Sequence, residues 1–156
     1  MSRKKLNINK KVILLILIMI SIFFLSVVNI KSILLPSVDK SLLSENGNFV
    51  LYVSNQSFEI NKVDIQVRID DKVAVSQYFE VENQHNSKKF ILSLPKGKHT
   101  LKVYSSQEKI SLRETFTISD KHWAVIDFWY YPKGHYNPTP KKHFTFNIQN
   151  EPIYFK

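Results

Sequence analysis

Residues 62–81 read KVDIQVRIDDKVAVSQYFEV, and this stretch decides the fold. Val63, Ile65, Val67 and Ile69 alternate with Lys62, Asp64, Gln66 and Arg68. A period of two puts the first set on one face of a strand and the second toward water. Asp70-Asp71 supplies a turn, because short polar side chains tolerate the backbone of a tight reversal. Val73, Val75, Phe79 and Val81 continue one face of a second strand. Two such runs joined by two residues predict an antiparallel hairpin.

The same period extends in both directions. Residues 48–54 form an earlier strand, and 89–94 (Phe90, Leu92 and Leu94 inward) and 98–104 (Leu101 and Val103 inward) form a later pair. Between that pair, Pro95 fixes one turn dihedral and Gly97 permits a positive one. Strands over 109–118, 121–131 and 142–148 complete the series, the last with Phe144, Phe146 and Ile148 on one side. No amphipathic helix interrupts them. The spacing predicts an all-β, antiparallel β-sandwich of about eight strands rather than βαβ units.

Residues 94–103, LPKGKHTLKV, together with the preceding Val-x-Ile-x-Val strand and its Asp-Asp turn, resemble the hairpins of immunoglobulin-like and transthyretin-like bacterial surface modules. The resemblance spans residues 63–118. It implies an immunoglobulin-like sandwich and transfers no functional residue. The paired cysteines and central tryptophan of antibody domains are missing.

Upstream, residues 12–30 read VILLILIMISIFFLSVVNI, with no charge. Nineteen residues at helical rise span roughly 28 Å, about the thickness of a bilayer's hydrocarbon core. A cleaved leader would have a shorter apolar region followed by small residues. The exit Ser26-Val27-Val28-Asn29-Ile30-Lys31-Ser32 has no alanine and a large residue at most candidate positions. One transmembrane helix, uncleaved, is therefore expected to precede the β domain. Arg3, Lys4, Lys5, Lys10 and Lys11 precede it, whereas Lys31 and Lys40 are offset by Asp39 and Glu45. The positive-inside bias keeps the N-terminus cytoplasmic and the C-terminal domain extracytoplasmic. The expected division is a basic flank (1–11), an anchor in the lipid bilayer (12–30), a stalk (31–47) with Ile33-Leu34-Leu35 and Leu42-Leu43 resting on the membrane, and the β domain (48–156).

The formal charge of +9 is concentrated in that flank: the other 17 basic residues face 13 acids and form no long run. Mild excess charge of this kind suits anionic envelope polymers or lipid headgroups, and no nucleic-acid partner is expected. The absence of cysteine excludes a disulfide, a thiolate zinc site and a catalytic thiol. Abundant Lys, Asn and Ile with little Ala suggest an AT-rich bacterial source.

Catalytic chemistry finds little support. His122, His135 and His143 show no short ligand spacing, so a metal-dependent hydrolase would require the fold to gather them; no metal or other cofactor is expected. His85 and His99 lie elsewhere in the sequence. Asp70-Asp71 is accounted for by the turn, and Glu80 and Glu82 share a strand face toward water. No glycine elbow surrounds a serine, and no phosphate loop exists. Asn55-Gln56-Ser57 matches a glycosylation triplet, which is common by chance.

Residues 121–131 are the exception. Trp123, Val125, Asp127, Trp129 and Tyr131 alternate with His122, Ala124, Ile126, Phe128 and Tyr130, so both faces are apolar or aromatic. Only the first carries a charge, and an unpaired carboxylate avoids burial, so that face should point outward. Trp123, Trp129 and Tyr131 would then form an aromatic platform beside Asp127 and the Pro-rich loop 132–140, which holds Tyr136. Such a surface could stack on cell-wall glycan or pack against a membrane protein partner. The competing reading has that loop, or residues 151–155, fold over the face as a second small core. The expectation is a non-enzymatic binding module, with an accessory subunit of a membrane complex as the alternative.

Overall fold

In the computed structural model, the described residues are 11, 14–21, 35–81 and 86–155. The chain divides into two compact units, Met1–Leu35 and Pro36–Lys156. In the first, residues 14–21 are helical and exposed. Among the described residues no helix is long and apolar enough to cross a membrane. Most of the expected anchor, residues 12–13 and 22–30, lies outside the described residues, as do Glu82 and His85.

The second unit is mostly β. Its strands are β1 (Phe49–Asn55), β2 (Lys62–Ile69), β3 (Lys72–Glu80), β4 (Lys88–Leu92), β5 (Gly97–Ser105), β6 (Ile110–Ile118), β7 (His122–Trp129) and β8 (His143–Gln149). They form two four-stranded sheets, ordered β4-β1-β7-β8 and β3-β2-β5-β6. The inner faces share one core: Phe49, Leu51, Val53, Ala124, Ile126 and Phe128 from the first sheet, and Val63, Ile65, Val67, Leu101 and Val103 from the second. Phe49 stacks on Phe116 at 5.1 Å, joining the two layers. Every member of this cluster lies between Leu42 and Phe144, so the unit carries its own core.

Four features depart from the alternation. First, the pairing is not wholly antiparallel, because β1 runs parallel to β7 over seven residue pairs. Both strands are apolar on both faces, with Val50 buried on the outer side of β1, and such strands suit the doubly covered positions that parallel pairs occupy. Second, the β2–β3 register shifts between Val67 and Arg68, so Val75 pairs with Val67 while Val73 pairs with Arg68. The extra residue, Ala74, takes the core position, and Val73 moves to the opposite face from Val75. Third, Asp64 and Gln66 are buried rather than facing water. Asp64 is enclosed by the β5–β6 turn it binds, and Arg68 Nε folds down to donate to Gln66 Oε1 at 3.3 Å. Fourth, part of the expected stalk is folded onto the domain. Residues Lys40–Leu42 form a 3-10 turn capped by Asp39, and Leu42 enters the core rather than resting on a membrane.

The β2–β3 hairpin closes through Asp70 (φ 49°) and Asp71 (φ 66°), the two-residue turn expected from the sequence. Left-handed backbone costs a non-glycine residue roughly 1–2 kcal/mol. Side-chain contacts offset this. Asp70 accepts from Thr100 N at 2.9 Å and meets His99 Nδ1 at 2.6 Å, while His99 Nε2 lies 2.8 Å from Pro95 O. Burial alone would push the Asp70 carboxyl up, but the Thr100 N–H and His99 outweigh it and hold it below the usual carboxylate range. Gly97 has φ 134°, as the Pro-Lys-Gly turn requires.

Candidate functional site

Along β7 the two faces separate as the alternation predicts. His122, Ala124, Ile126 and Phe128 are buried, while Trp123, Val125, Asp127 and Trp129 are half-buried on the outer face. The outer residues do not form one platform. Trp123 and Trp129 stand six residues apart, about 20 Å along the strand. Lys121 Nζ lies over Trp123 at 5.6 Å. Between the tryptophans the C-terminal tail returns across the sheet, and Phe155 meets Tyr52 of β1 edge-on at 5.0 Å. Phe155 therefore meets the face at Tyr52, between the two aromatic ends.

The Trp129 end is the denser. Trp129 and Tyr131 stack at 5.8 Å with planes 13° apart. Tyr131 also stacks on Phe58 at 5.1 Å and on His135 at 5.7 Å, and takes Tyr136 edge-on at 4.9 Å. Phe58 and Tyr136 remain 43% and 49% exposed. Tyr131 is the hub: burial pushes its phenol above the ordinary tyrosine value, and nearby Tyr136 adds to the rise.

Three segments supply these rings. The β1–β7 ladder continues past the strands, with Gln56 N donating to Phe128 O and Phe58 N to Tyr130 O. Residues 55–60 are shaped by Asn55, whose Oδ1 accepts from Ser57 N, and by Ser57 Oγ, which accepts from Glu59 N and Ile60 N. Buried Asn55 is thereby committed to the turn of which the Asn55-Gln56-Ser57 triplet is part. Loop 132–140 contains a cis Asn137–Pro138 bond and is braced by Thr139, which accepts from Gly134 N and donates to Tyr136 O. Phe58 had no signal in the sequence, since 73 residues separate it from Tyr131.

Asp127 lies one step inward from Trp129 on the same face. Burial pushes its carboxyl above the usual range, and the Ser54 hydroxyl, donating to Oδ1 at 2.6 Å, pulls it only part of the way back. Gln56 Nε2 donates to Ser54 Oγ at 2.8 Å, and Trp129 Nε1 donates to Thr145 Oγ1 at 3.3 Å. A polar row therefore runs beside the rings. The folded chain holds the Asp127 proton to higher pH than the unfolded chain does. Stability should therefore fall as pH rises from the ordinary aspartate range through the raised value, and be flat beyond it. Asp127→Asn removes this slope: its melting temperature is expected to match wild type in acid and exceed it at neutral pH. Melting curves across that range would reject the assignment if the slope persisted in the variant.

The histidines are not gathered. His122 and His143 sit at opposite ends of β7's pairing, their Nδ1 atoms against Asp120 O and Lys141 O, while His135 belongs to the ring cluster. Among the described residues no group of three His, Cys, Asp or Glu side chains could hold a metal ion. No known family model matches the chain, and no curated protein does.

Proposed function

We propose that the chain is a membrane-tethered, extracytoplasmic binding module with an immunoglobulin-like sandwich, and that the ring cluster takes the sugar rings of a cell-envelope glycan. The observation that carries this reading is the convergence of Phe58, Trp129, Tyr131, His135 and Tyr136 from three braced segments, with Phe58 and Tyr136 left exposed. Partly exposed rings suit the C–H faces of sugars, and half-buried Asp127 and Gln56 offer an acceptor and a donor for hydroxyl groups. The apolar stretch 12–30 with its basic flank supports the tether.

The test is a pull-down of the full chain in detergent on isolated cell-wall material, comparing wild type with Phe58→Ala/Tyr136→Ala. Both side chains are half exposed, so the variant should fold, which circular dichroism would verify. Two lost stacking contacts predict roughly tenfold weaker retention. Equal retention by the two proteins would reject the ring site. No retention of folded wild type would favour the accessory-subunit reading, to be pursued by crosslinking in the membrane.

A further inference from the structure

The outer face of the second sheet carries a different arrangement. Arg68 of β2, Lys102 of β5 and Arg113 of β6 are direct register partners, so three cations stand side by side across three strands. At strand spacing their backbones lie within about 10 Å of one another. Like charges directly opposite one another destabilise a sheet unless something neutralises them. Among the described residues Asp71 is the carboxylate that engages them: Lys102 Nζ donates to its Oδ1 at 2.6 Å, and that bond, with Arg68 and Arg113 nearby, lowers its pKa. Arg68 is otherwise bonded only to neutral oxygens, Gln66 Oε1 and Asp71 O, which fix its guanidinium in place.

The neighbouring row repeats the imbalance in hydrogen bonding. Gln66 is 2% exposed, and its Nε2 has no partner among the described residues, nor has Oγ of its register partner Ser76. Both atoms are shut off from the surface, so the row itself presents only its three cations and Asp71. A row of three cations against one carboxylate suits an oxyanion.

Position identifies which one. Pro36 begins the folded unit, and Asp39 N donates to Val73 O, in the residue that pairs with Arg68. The cationic row therefore adjoins the place where the chain enters this unit. The geometry points to a docking surface for the phosphates of anionic lipid headgroups, formed by Arg68, Lys102 and Arg113. This rests on the tether reading, because only residues 31–35 separate the apolar stretch 12–30 from this unit along the sequence.

Vesicle co-sedimentation of residues 36–156, the unit that carries its own core, tests the surface without the anchor. Binding to phosphatidylcholine vesicles containing phosphatidylglycerol is expected, with little to phosphatidylcholine alone and loss at high salt. Arg68→Gln/Lys102→Gln/Arg113→Gln should weaken it roughly tenfold to a hundredfold. Lys88→Gln/Lys89→Gln/Lys141→Gln, which removes equal charge elsewhere, should not. Equal loss in both triple variants, equal binding to neutral vesicles, or capture by soluble polyphosphate without vesicle binding would overturn the proposal. Carbonate extraction of the full chain from membranes tests the tether separately, so failure of one is distinguishable from failure of the other.

Discussion

Asp64→Ala is expected to lower the unfolding free energy by about 3 kcal/mol or more. The β2–β5 ladder ends at Gln66 and Tyr104, and past that point the Asp64 side chain replaces backbone pairing. Its carboxyl accepts from Ser105 Oγ, Ser106 N and Gln107 N, and Ser105 Oγ in turn accepts from Glu108 N. Asp64 is 5% exposed, so removing it strands the buried Ser105 hydroxyl and the part-buried Ser106 and Gln107 N–H groups, a buried unsatisfied donor costing about 1–3 kcal/mol. Asp64→Asn retains one side-chain oxygen and should fall between the two. Chemical denaturation followed by fluorescence provides the measurement. An alanine variant within about 0.5 kcal/mol of wild type would mean that water satisfies the turn.

Gly47→Ala should be comparably severe for a steric reason. A Cβ at residue 47 would sit 2.1 Å from Leu92 O and 2.5 Å from Leu92 C. Both are backbone atoms of β4, held in register by Phe49, so no rotamer relieves the overlap. The strand must shift, at about 3 kcal/mol or more. Gly134→Ala is the matched control: φ is 86° but the space is open, and only backbone strain of roughly 1–2 kcal/mol is expected. The midpoints of denaturation should rank in that order. Equal losses at the two glycines would refute the close approach.

These residues illustrate where the sequence speaks and where it is silent. Alternation located all eight strands to within about two residues, because each side chain's face is a local property. The turns at Asp70-Asp71 and Pro95-Lys96-Gly97 were equally readable, since their dihedrals depend on the residues that occupy them. Neighbours are not local. Nothing in 48–54 announces that β1 pairs with β4 and, in parallel, with β7. That pairing brings Phe58 to Tyr131 and Ser54 to Asp127, so half of the candidate site was hidden with it. Nothing around Gly47 announces the closeness of Leu92, which lies on another strand. Asp64 reads as an outward polar residue and proves to be buried, because the turn that claims it lies some forty residues away.

The parallel β1–β7 pair also fixes how the unit would carry a pull. Pro36–Asp39 bring the chain in at the end where β1 begins, and the ring cluster lies where β1 and β7 finish. If the proposed tether and glycan are both engaged, tension between them would act along these strands. The seven residue pairs from Phe49 and His122 to Asn55 and Phe128 would be loaded in shear and have to yield together. A hairpin pulled open at its ends would surrender them one at a time.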